Sequence, residues 1–222
     1  MSMQHVVITG GNRGIGLSLV KQYLAKGCKV TVVCRTMSAE LADLDVTVHS
    51  GIDFSQPEQL QQVAQQFSKG SVDILINNAG IFSNETLNEL DLTRIQAQFQ
   101  VDALAPLVLS HAMLPALTAG SKIAMITSRM GSISDNGSGA YYGYRMAKAA
   151  LNAASVSLSL DLASQHIYVG IYHPGFVKTQ MVGFAGDISP DEAARRLVER
   201  ISELSADNSG QFFHSNGDAL PW

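Results

Sequence analysis

A tyrosine and a lysine four residues apart offer the clearest chemistry in this chain. Tyr144 and Lys148 open a long helical run, and their spacing places them one turn apart on the same helix face. A free phenol has a pKa of about 10, which makes it a weak acid–base catalyst near neutral pH. An ammonium held close by favours the phenolate and lowers that pKa. The pair therefore predicts proton transfer by Tyr144, although the same spacing also occurs by chance on many helices.

Short apolar segments typical of strands alternate with helical patterns along the whole chain. These elements would place Tyr144 and Lys148 in the fold. The run at 72–76 is fully apolar between helices, which indicates a parallel strand buried on both faces. No linker, repeat or low-complexity segment interrupts the pattern. It predicts an α/β fold: one Rossmann-type, doubly wound parallel sheet flanked by helices, in a single domain spanning 1–222. Strands are expected at 6–8, 29–34, 46–49, 72–76, 122–127, 167–172 and 211–214.

A glycine-rich turn joins the first strand to the first helix. Gly10, Gly14 and Gly16 would let the backbone approach a phosphate, and the helix N-terminus would offer free N–H groups. The spacing differs from the G-x-G-x-x-G fingerprint, and such a turn can be merely structural. Its place at the start of an alternating chain favours dinucleotide binding.

The residues after the second strand indicate which dinucleotide is bound. An acidic residue at this strand end binds the ribose hydroxyls of NAD, whereas a basic one accommodates the 2′-phosphate of NADP. Here Cys34 is followed by Arg35, and Arg13 lies in the glycine turn. Two guanidiniums suit a dianion, so the sequence favours NADP(H), although both arginines could simply be solvated.

Polar residues also follow three later strands. Asn77 and Asn78 end the fourth strand, Ser128 follows the fifth, and the sixth runs into His173 and Pro174. Open α/β sheets bind ligands at the carboxyl ends of their strands. Asparagines there can equally be ordinary turn residues.

Prolines mark several helix boundaries. Pro57 and Pro190 are expected to begin helices, the second with Ser189 as its N-cap. In the helical region 93–117, Pro106 predicts a local break near 102–105. The apolar end of the chain, 220–222, is expected to dock on the domain.

Composition excludes several classes of protein. The 222 residues are 46% hydrophobic and 15% charged, with a net charge of −4 and no long run of one sign. No nucleic-acid or membrane partner is therefore expected. A strand pattern within a few residues of the start leaves no room for a signal peptide, and no apolar run approaches the ~20 residues of a membrane span.

The two cysteines point to a reducing compartment. Cys28 and Cys34 bracket one predicted strand, so roughly 20 Å would separate them, too far for a disulfide. We therefore expect a cytoplasmic protein. Without a nearby histidine cluster they do not form a metal site, and no metal is expected.

Taken together, five motifs resemble the short-chain dehydrogenase/reductase family over essentially the whole length. They agree in order, and the ending at 210–222 is similar to the C-factor/carbonyl-reductase-like branch of that family. The motifs are Thr9-Gly10-x-x-x-Gly14-x-Gly16, Asn77-Asn78-Ala79-Gly80, Ser128, Tyr144-x-x-x-Lys148 and Pro174-Gly175.

The resemblance implies a role for each site residue. Tyr144 would give a proton to a substrate carbonyl oxygen as hydride arrives from the nicotinamide, Ser128 would hydrogen-bond that oxygen, and Lys148 would hold the nicotinamide ribose. Asp53 would meet the adenine, Asn77 the adenine ribose side, Thr179 the pyrophosphate and the Val177 backbone the carboxamide. The remaining expected cofactor contacts are Gly10, Asn12, Arg13, Gly14, Ile15, Gly16, Arg35, Ala79, Gly80, Pro174 and Gly175.

Two positions depart from the family pattern. The family's catalytic asparagine falls on Asp102, which can substitute if the backbone carbonyl is what matters but not if the side-chain amide is needed. Ser128 lies sixteen residues before Tyr144, further than usual, so Ser132 is a competitor. Ser128 is preferred because it directly follows the strand.

The resemblance also implies a short substrate lid at about 179–189. The residues expected to form apolar walls are Met130, Ile133, Phe176, Met181 and Phe184, although any of them could be core. The helix after Tyr144 is small or apolar nearly all round, which favours a homo-oligomer, a dimer or tetramer, through it.

Three functions could use a site of this kind. The first is an NADPH-dependent reductase of a small-molecule aldehyde or ketone. The second is a dinucleotide-binding signalling or regulatory protein of the C-factor type, with little or no turnover. The third, a sugar-nucleotide epimerase or dehydratase, needs a larger C-terminal substrate domain than this chain has room for.

Overall fold

A computed structural model describes residues 3–222 and contains one seven-stranded parallel sheet. In chain order the strands are β1 (His5–Thr9), β2 (Lys29–Val33), β3 (Thr47–His49), β4 (Ile74–Asn77), β5 (Lys122–Ile126), β6 (Tyr168–His173) and β7 (Phe212–His214). Their order in the sheet is β3-β2-β1-β4-β5-β6-β7, and every neighbouring pair is parallel. The predicted doubly wound α/β fold is confirmed.

Helices connect the strands and cover both faces of the sheet. They are α1 (Gly14–Ala25), α2 (Ala39–Ala42), α3 (Pro57–Ala64), α4 (Leu92–Phe99), α5 (Ala105–Met113), α6 (Tyr142–Leu162) and α7 (Pro190–Glu203). Short 3₁₀ turns cover Leu114–Ala116, Arg129–Gly131, Ala163–Gln165 and Gln180–Val182. As predicted, α3 and α7 begin at prolines, and the Ser189 hydroxyl accepts a hydrogen bond from the Glu192 N–H at 3.1 Å.

The strands are buried on both faces because successive side chains point to opposite sides. Val6 and Ile8 pack with α1 and α7 on one side of the sheet. Val7, between them, packs with α3, α5 and α6 on the other. This double burial explains the continuous apolar runs of the sequence, and it forms two hydrophobic cores, one on each face of the sheet.

The strand order reverses between β1 and β4. After β1 the chain continues to β2 on one side of β1, and it later returns to β4 on the other side of β1. The glycine turn after β1 and the segment 77–80 after β4 therefore leave the sheet in different directions, with a crevice between them. In open α/β sheets, ligands bind at such a switch point.

The helical region after β4 is broken where the sequence predicts. Between α4 and α5 the backbone forms a π-helical turn over Gln100–Leu104, and Pro106 follows in the first turn of α5. Single π turns inside helices often occur at functional sites, and this one carries Asp102.

The end of the chain docks on the domain, as expected. The Leu220 N–H donates to the Phe212 carbonyl at 2.8 Å, and the Trp222 ring stacks on Phe212 at 5.3 Å. The Trp222 carbonyl accepts hydrogen bonds from the Ser134 N–H and hydroxyl. The tail therefore supports the loop that follows β5.

Helices that could cross a bilayer are absent from residues 3–222. Cys28 and Cys34 are both free thiols, at opposite ends of β2, as their spacing predicts.

Candidate active site

Three of the predicted catalytic side chains meet at the carboxyl edge of the sheet. Tyr144 lies in the first turn of α6, and Ser128 follows the end of β5. Lys148 is only 4% exposed, and its Nζ lies 5.6 Å from the centre of the Tyr144 ring. The same Nζ donates a hydrogen bond to the Ile126 carbonyl at 3.2 Å. A phenol, a hydroxyl and an ammonium therefore converge beside the switch point of the sheet.

The two candidate serines have different surroundings. The Ser128 hydroxyl faces the Tyr144 phenol and accepts a hydrogen bond from the Met130 N–H at 3.1 Å. The Ser132 hydroxyl instead accepts from the Asp135 N–H at 3.2 Å and contacts the Ser134 hydroxyl. Ser128 thus lies in the cluster around Tyr144, whereas Ser132 stabilises the loop.

Asp102 is fully buried behind this cluster. Its Oδ1 accepts a hydrogen bond from the Ile81 N–H at 2.8 Å, while Oδ2 has no hydrogen-bond partner among the described residues. Burial raises the pKa of the carboxyl to about 6, although the Lys148 ammonium and the Ile81 N–H oppose the shift. At the position where the resemblance implies a neutral amide, this chain therefore has a group that ionises close to neutral pH.

The pKa of Tyr144 is shifted in the direction opposite to the one expected from Lys148. Burial of the phenol and the charge of Asp102 raise this pKa, and only the Ser128 hydroxyl works against the rise. Burial also lowers the pKa of Lys148, with Asp102 opposing. The protein residues alone therefore keep Tyr144 protonated, as a proton donor must be.

His173 is a further buried titratable group at this edge of the sheet. It ends β6, and its ring lies 5.0 Å from that of His214. Burial, followed by His214 and Arg129, lowers the pKa of His173 to about 3. A neutral imidazole of such low basicity does not compete with Tyr144 as the acid.

The glycine turn at 10–16, the candidate cofactor cradle, packs closely against the segment that follows β4. Gly10 has a φ of +68°, and a Cβ there would lie 2.9 Å from the Ala79 Cα. A Cβ on Gly16 would collide with the Gly10 carbonyl oxygen. The turn can therefore be built only from glycine at these positions. A helix start that follows such a turn is the type of site at which a phosphate binds.

Thr9 and Asn78 brace this cradle. The Thr9 hydroxyl accepts hydrogen bonds from the N–H groups of Asn78 and Ala79 at 2.9 and 3.0 Å. The Asn78 amide donates to the Thr9 and Gly10 carbonyls. Asn77 instead turns into the protein and donates to the Ser110 hydroxyl at 3.0 Å. Any contact of Asn77 with a cofactor would therefore involve its backbone.

The two arginines predicted to bind a 2′-phosphate are exposed near the cradle. Arg13 is the N-cap of α1 and donates to the Gln180 amide oxygen at 2.9 Å, while Arg35 follows β2. Within residues 3–222 neither guanidinium has an ion-pair partner. Hydrogen bonds from the Ser55 N–H and hydroxyl, with a smaller effect of Arg35, hold the pKa of Asp53 below its usual range.

The remaining predicted contacts follow β6 and the glycine turn. Gly175 has a φ of +100°, and Val177 is buried and bridged to Ile188. The Thr179 side chain faces Gly14, where a Cβ would lie 3.4 Å away. The half-buried residues Asn12 and Pro174 lie in these turns, half-buried Ile15 lies in the first turn of α1, and Gly80 lies against Asp102.

The apolar side chains predicted to line the substrate site lie at the protein surface. Four of the five predicted wall residues are exposed and one, Met130, is half-buried, so none belongs to the core. The exposed four are Ile133, Phe176, Met181 and Phe184.

Two residues of this region were missed by sequence reasoning. The Phe82 ring meets the Tyr144 ring edge-on at 5.0 Å. Glu85 is 1% exposed and bonded to the start of α6. Both lie in the irregular segment between β4 and α4, where no periodic pattern exists to reveal them. No cluster of metal-binding side chains occurs in the described part of the chain.

Comparison with known proteins places this geometry in a family. The profile of the short chain dehydrogenase family matches residues 4–190. The 1-hydroxy-2-glutathionyl-2-methyl-3-butene dehydrogenase of Rhodococcus sp. (strain AD45) is 34% identical over 226 residues, covering 99% of this chain and all of that protein. The C-signal of Myxococcus xanthus is 38% identical over 166 residues, covering 73% of this chain and all of that protein.

A solved structure shows the same likeness. The NADPH-bound carbonyl reductase from chicken fatty liver superposes with a TM-score of 0.89 at 29% identity, and each chain is covered completely. The match of the family profile spans most of the chain, and the five motifs lie where the fold requires them. This chain belongs to the short-chain dehydrogenase family.

Proposed function

We propose that this protein is an NADPH-dependent oxidoreductase that reduces an aldehyde or ketone to an alcohol. The observation that carries the proposal is the convergence of Ser128, Tyr144 and Lys148 beside a glycine cradle. A pure binding protein has no need of that triad. The NADPH-bound carbonyl reductase of similar structure supports the same activity.

The residues present fit NADP(H). Gly10 and Gly16 let the turn pack tightly at the start of α1, where a pyrophosphate is proposed to bind, and the Thr179 side chain faces Gly14 of the same turn. Arg13 and Arg35 supply two exposed guanidiniums that form no ion pair within residues 3–222, which suits a 2′-phosphate. The backbone of Asn77 and Val177, with Asp53, completes the proposed surface for the cofactor.

The proposed reaction uses each catalytic side chain for one task. NADPH supplies the hydride. Tyr144 donates its phenol proton to the carbonyl oxygen, and the Ser128 hydroxyl donates a hydrogen bond to that same oxygen. The Lys148 ammonium holds the nicotinamide ribose and stabilises the negative charge left on the phenol. Asp102 fixes the Ile81 N–H behind them.

The proposed substrate is a hydrophobic small molecule. Ile133, Phe176 and Phe184, which we propose as walls of the substrate site, are exposed, and exposed apolar side chains that group together commonly mark a binding surface. The segment 179–189 is proposed as a lid over the substrate. Because this lid is short, it would leave the pocket open, so bulky carbonyl compounds would be accommodated.

The direct test is cofactor oxidation with a panel of aldehydes, ketones and quinones. The proposal expects NADPH to be consumed with at least some of them, and NADH to be a poorer donor. Titration of the protein with both cofactors should show tighter binding of NADPH. Oxidation of neither cofactor across the panel would contradict the proposal.

A second candidate is a dinucleotide-binding signalling protein of the C-factor type. Two observations favour it: the similarity to the C-signal, and the buried charge of Asp102, which makes Tyr144 a weaker acid. Tight NADPH binding without turnover on any carbonyl would support this candidate over the reductase.

Two further properties are proposed. Met146 and Leu160 remain 54% and 72% exposed on the outer side of α6, which supports a homo-oligomer through that helix. Free thiols at Cys28 and Cys34 support a reducing, cytoplasmic location.

A further inference from the structure

The helix that carries Tyr144 begins without a cap of its own. Its N-cap residue, Tyr141, adopts the left-handed conformation (φ 55°, ψ 38°), and its side chain makes no capping hydrogen bond among residues 3–222. The first turn also contains no acidic residue. The free N–H groups at a helix start need partners, and residues from elsewhere in the chain can supply them.

Glu85 supplies those partners from a distant segment. Its main-chain carbonyl accepts the Tyr141 N–H at 2.8 Å, and its Oε2 accepts the Gly143 N–H at 3.2 Å. The side chain is 1% exposed. A carboxylate at this end of a helix is also favoured by the helix dipole.

A closed set of hydrogen bonds holds this carboxylate in place. The Gln98 amide donates to both of its oxygens at 3.2 Å, and the Ser83 hydroxyl donates to Oε1. The Gln98 oxygen in turn accepts from the Ser83 N–H at 3.0 Å. Although burial opposes ionisation, the hydrogen bonds from Ser83, Gln98 and Gly143 hold the pKa of Glu85 below its usual range.

The same segment contacts the catalytic groups. Phe82 stacks on Tyr141 at 5.6 Å and meets the Tyr144 ring edge-on at 5.0 Å. The Ile81 N–H holds Asp102. A Cβ on Gly143 would strike the Gln98 amide, so the helix start lies directly against the cluster. The position of Tyr144, one residue further on, is therefore set partly from residues 81–85.

We propose that Glu85 is a positioning residue for the reduction, acting as the missing N-cap of α6 and so fixing the placement of Tyr144. This inference rests on the proposed reductase function. It assigns a role in turnover to a residue that touches neither substrate nor cofactor. Placement of a proton donor matters because an error of about 1 Å can cost roughly a hundredfold in rate.

The test compares Glu85→Gln with the double variant that exchanges the two side chains, Glu85→Gln/Gln98→Glu. The single variant places an NH₂ group against the Gln98 amide or the Gly143 N–H, both of which are donors. In the double variant, the amide at position 85 can still accept from the Gly143 N–H while it donates to the carboxylate at position 98. We expect kcat to fall about 10- to 100-fold in the single variant, with unchanged NADPH affinity, and to recover to within roughly threefold in the double variant.

Two control variants separate positioning from general destabilisation. Glu89→Gln makes the same substitution at an exposed position of the same segment and should leave kcat unchanged. Val198→Ala removes buried volume in α7, on the opposite face of the sheet from α6, and should lower the melting temperature without lowering kcat. Hydrogen exchange at 141–146 should become faster in Glu85→Gln and stay unchanged in both controls.

Wild-type kcat in a folded Glu85→Gln protein would overturn the proposal. If the single variant does not fold, the double variant decides, and a folded double variant with kcat reduced tenfold or more would overturn the proposal equally. Absence of turnover in the wild type would reject the reductase function instead. In that case hydrogen exchange would still test whether Glu85 caps α6. Unchanged exchange at 141–146 in Glu85→Gln would reject the cap.

Discussion

The residues around Tyr144 favour its protonated form. The part of this effect that is due to the charge of Asp102 can be removed by one substitution. The charge of Asp102 adds to the burial that raises the pKa of Tyr144, and Asp102 itself ionises near pH 6. A protonated Asp102 is neutral, as an asparagine would be. The ionised form opposes the negative charge that Tyr144 acquires when it gives up its proton.

The pH profile should therefore depend on Asp102. We expect kcat for reduction to fall as pH rises through about 6 in the wild type. Asp102→Asn should remove this fall and raise kcat at neutral pH by up to roughly tenfold, about one pKa unit on the donor. Profiles of kcat for both proteins check this. A lower kcat in Asp102→Asn at neutral pH would show that the carboxylate assists turnover.

The same carboxyl affects stability with a defined sign. Its pKa is raised on folding, so the folded state holds the proton more tightly than the unfolded state. The contribution of Asp102 to stability is present at low pH and is lost as pH rises from about 4 to about 6. Thermal melts of Asp102→Asn should lack this part of the pH dependence.

Arg35 should determine the preference between the two nicotinamide cofactors. Loss of a charge-assisted contact with a 2′-phosphate costs about 1.5–3 kcal/mol, so Arg35→Ala should weaken NADPH binding roughly 10- to 100-fold. NADH lacks that phosphate, and its affinity should change less than about twofold. Arg94→Ala, at an exposed position of α4, is the matched control. Equal losses for both cofactors would place the phosphate elsewhere.

At the scale of elements, the glycine turn and the segment after β4 act as one unit. The Thr9 hydroxyl and the Asn78 amide join them, and Gly16 packs against the Gly10 carbonyl. A substitution in either segment should therefore change the geometry of the cofactor cradle.

Gly16→Ala tests this coupling. The added methyl collides with the Gly10 carbonyl and lies close to the Asn78 amide, so it should cost about 1–3 kcal/mol of stability and weaken NADPH binding at least tenfold. Titration and thermal melts measure the two effects. Gly137→Ala is the control, because a Cβ there meets open space. Unchanged NADPH affinity in Gly16→Ala would show that the cradle does not hold the cofactor.

The elements themselves could be predicted from periodicity and helix signals. All seven strands and the break before Pro106 lie where the sequence indicates. The ends of the strands were predicted less accurately. The strand predicted at 72–76 is β4 at Ile74–Asn77: it includes Asn77, which pairs with Met125 of β5, and Val72 lies before it. The short helix α2 was missed, since four residues show no periodic pattern.

The candidate site was only partly predictable. Tyr144 and Lys148 share a helix face, so their spacing alone brings them together. The cap formed by Glu85 joins residues 58 apart in the chain and depends on an irregular segment, so no local pattern encodes it. The rise in the pKa of Tyr144 likewise depends on burial and on Asp102, which only the folded chain brings near.

For the whole molecule, the outer side of α6 should bury apolar area in an oligomer. Light scattering is expected to give the mass of a dimer or tetramer. Leu160→Glu should shift that mass toward the monomer, because a charge would be buried in the interface. Met3→Glu, at an exposed position near the start of the chain, is the control. A monomeric wild type at micromolar concentration would contradict this proposal.

The central claim is that the domain brings NADPH and a carbonyl together so that Tyr144 can donate the proton. The most direct test is NADPH oxidation by the wild type and by Tyr144→Phe on the best carbonyl substrate, with NADPH titrated into both proteins. The phenol hydroxyl alone is lost, so turnover should fall by at least roughly a hundredfold while NADPH affinity stays nearly unchanged. If Tyr144→Phe keeps most of the wild-type rate, Tyr144 is not the proton donor and the proposed mechanism is wrong.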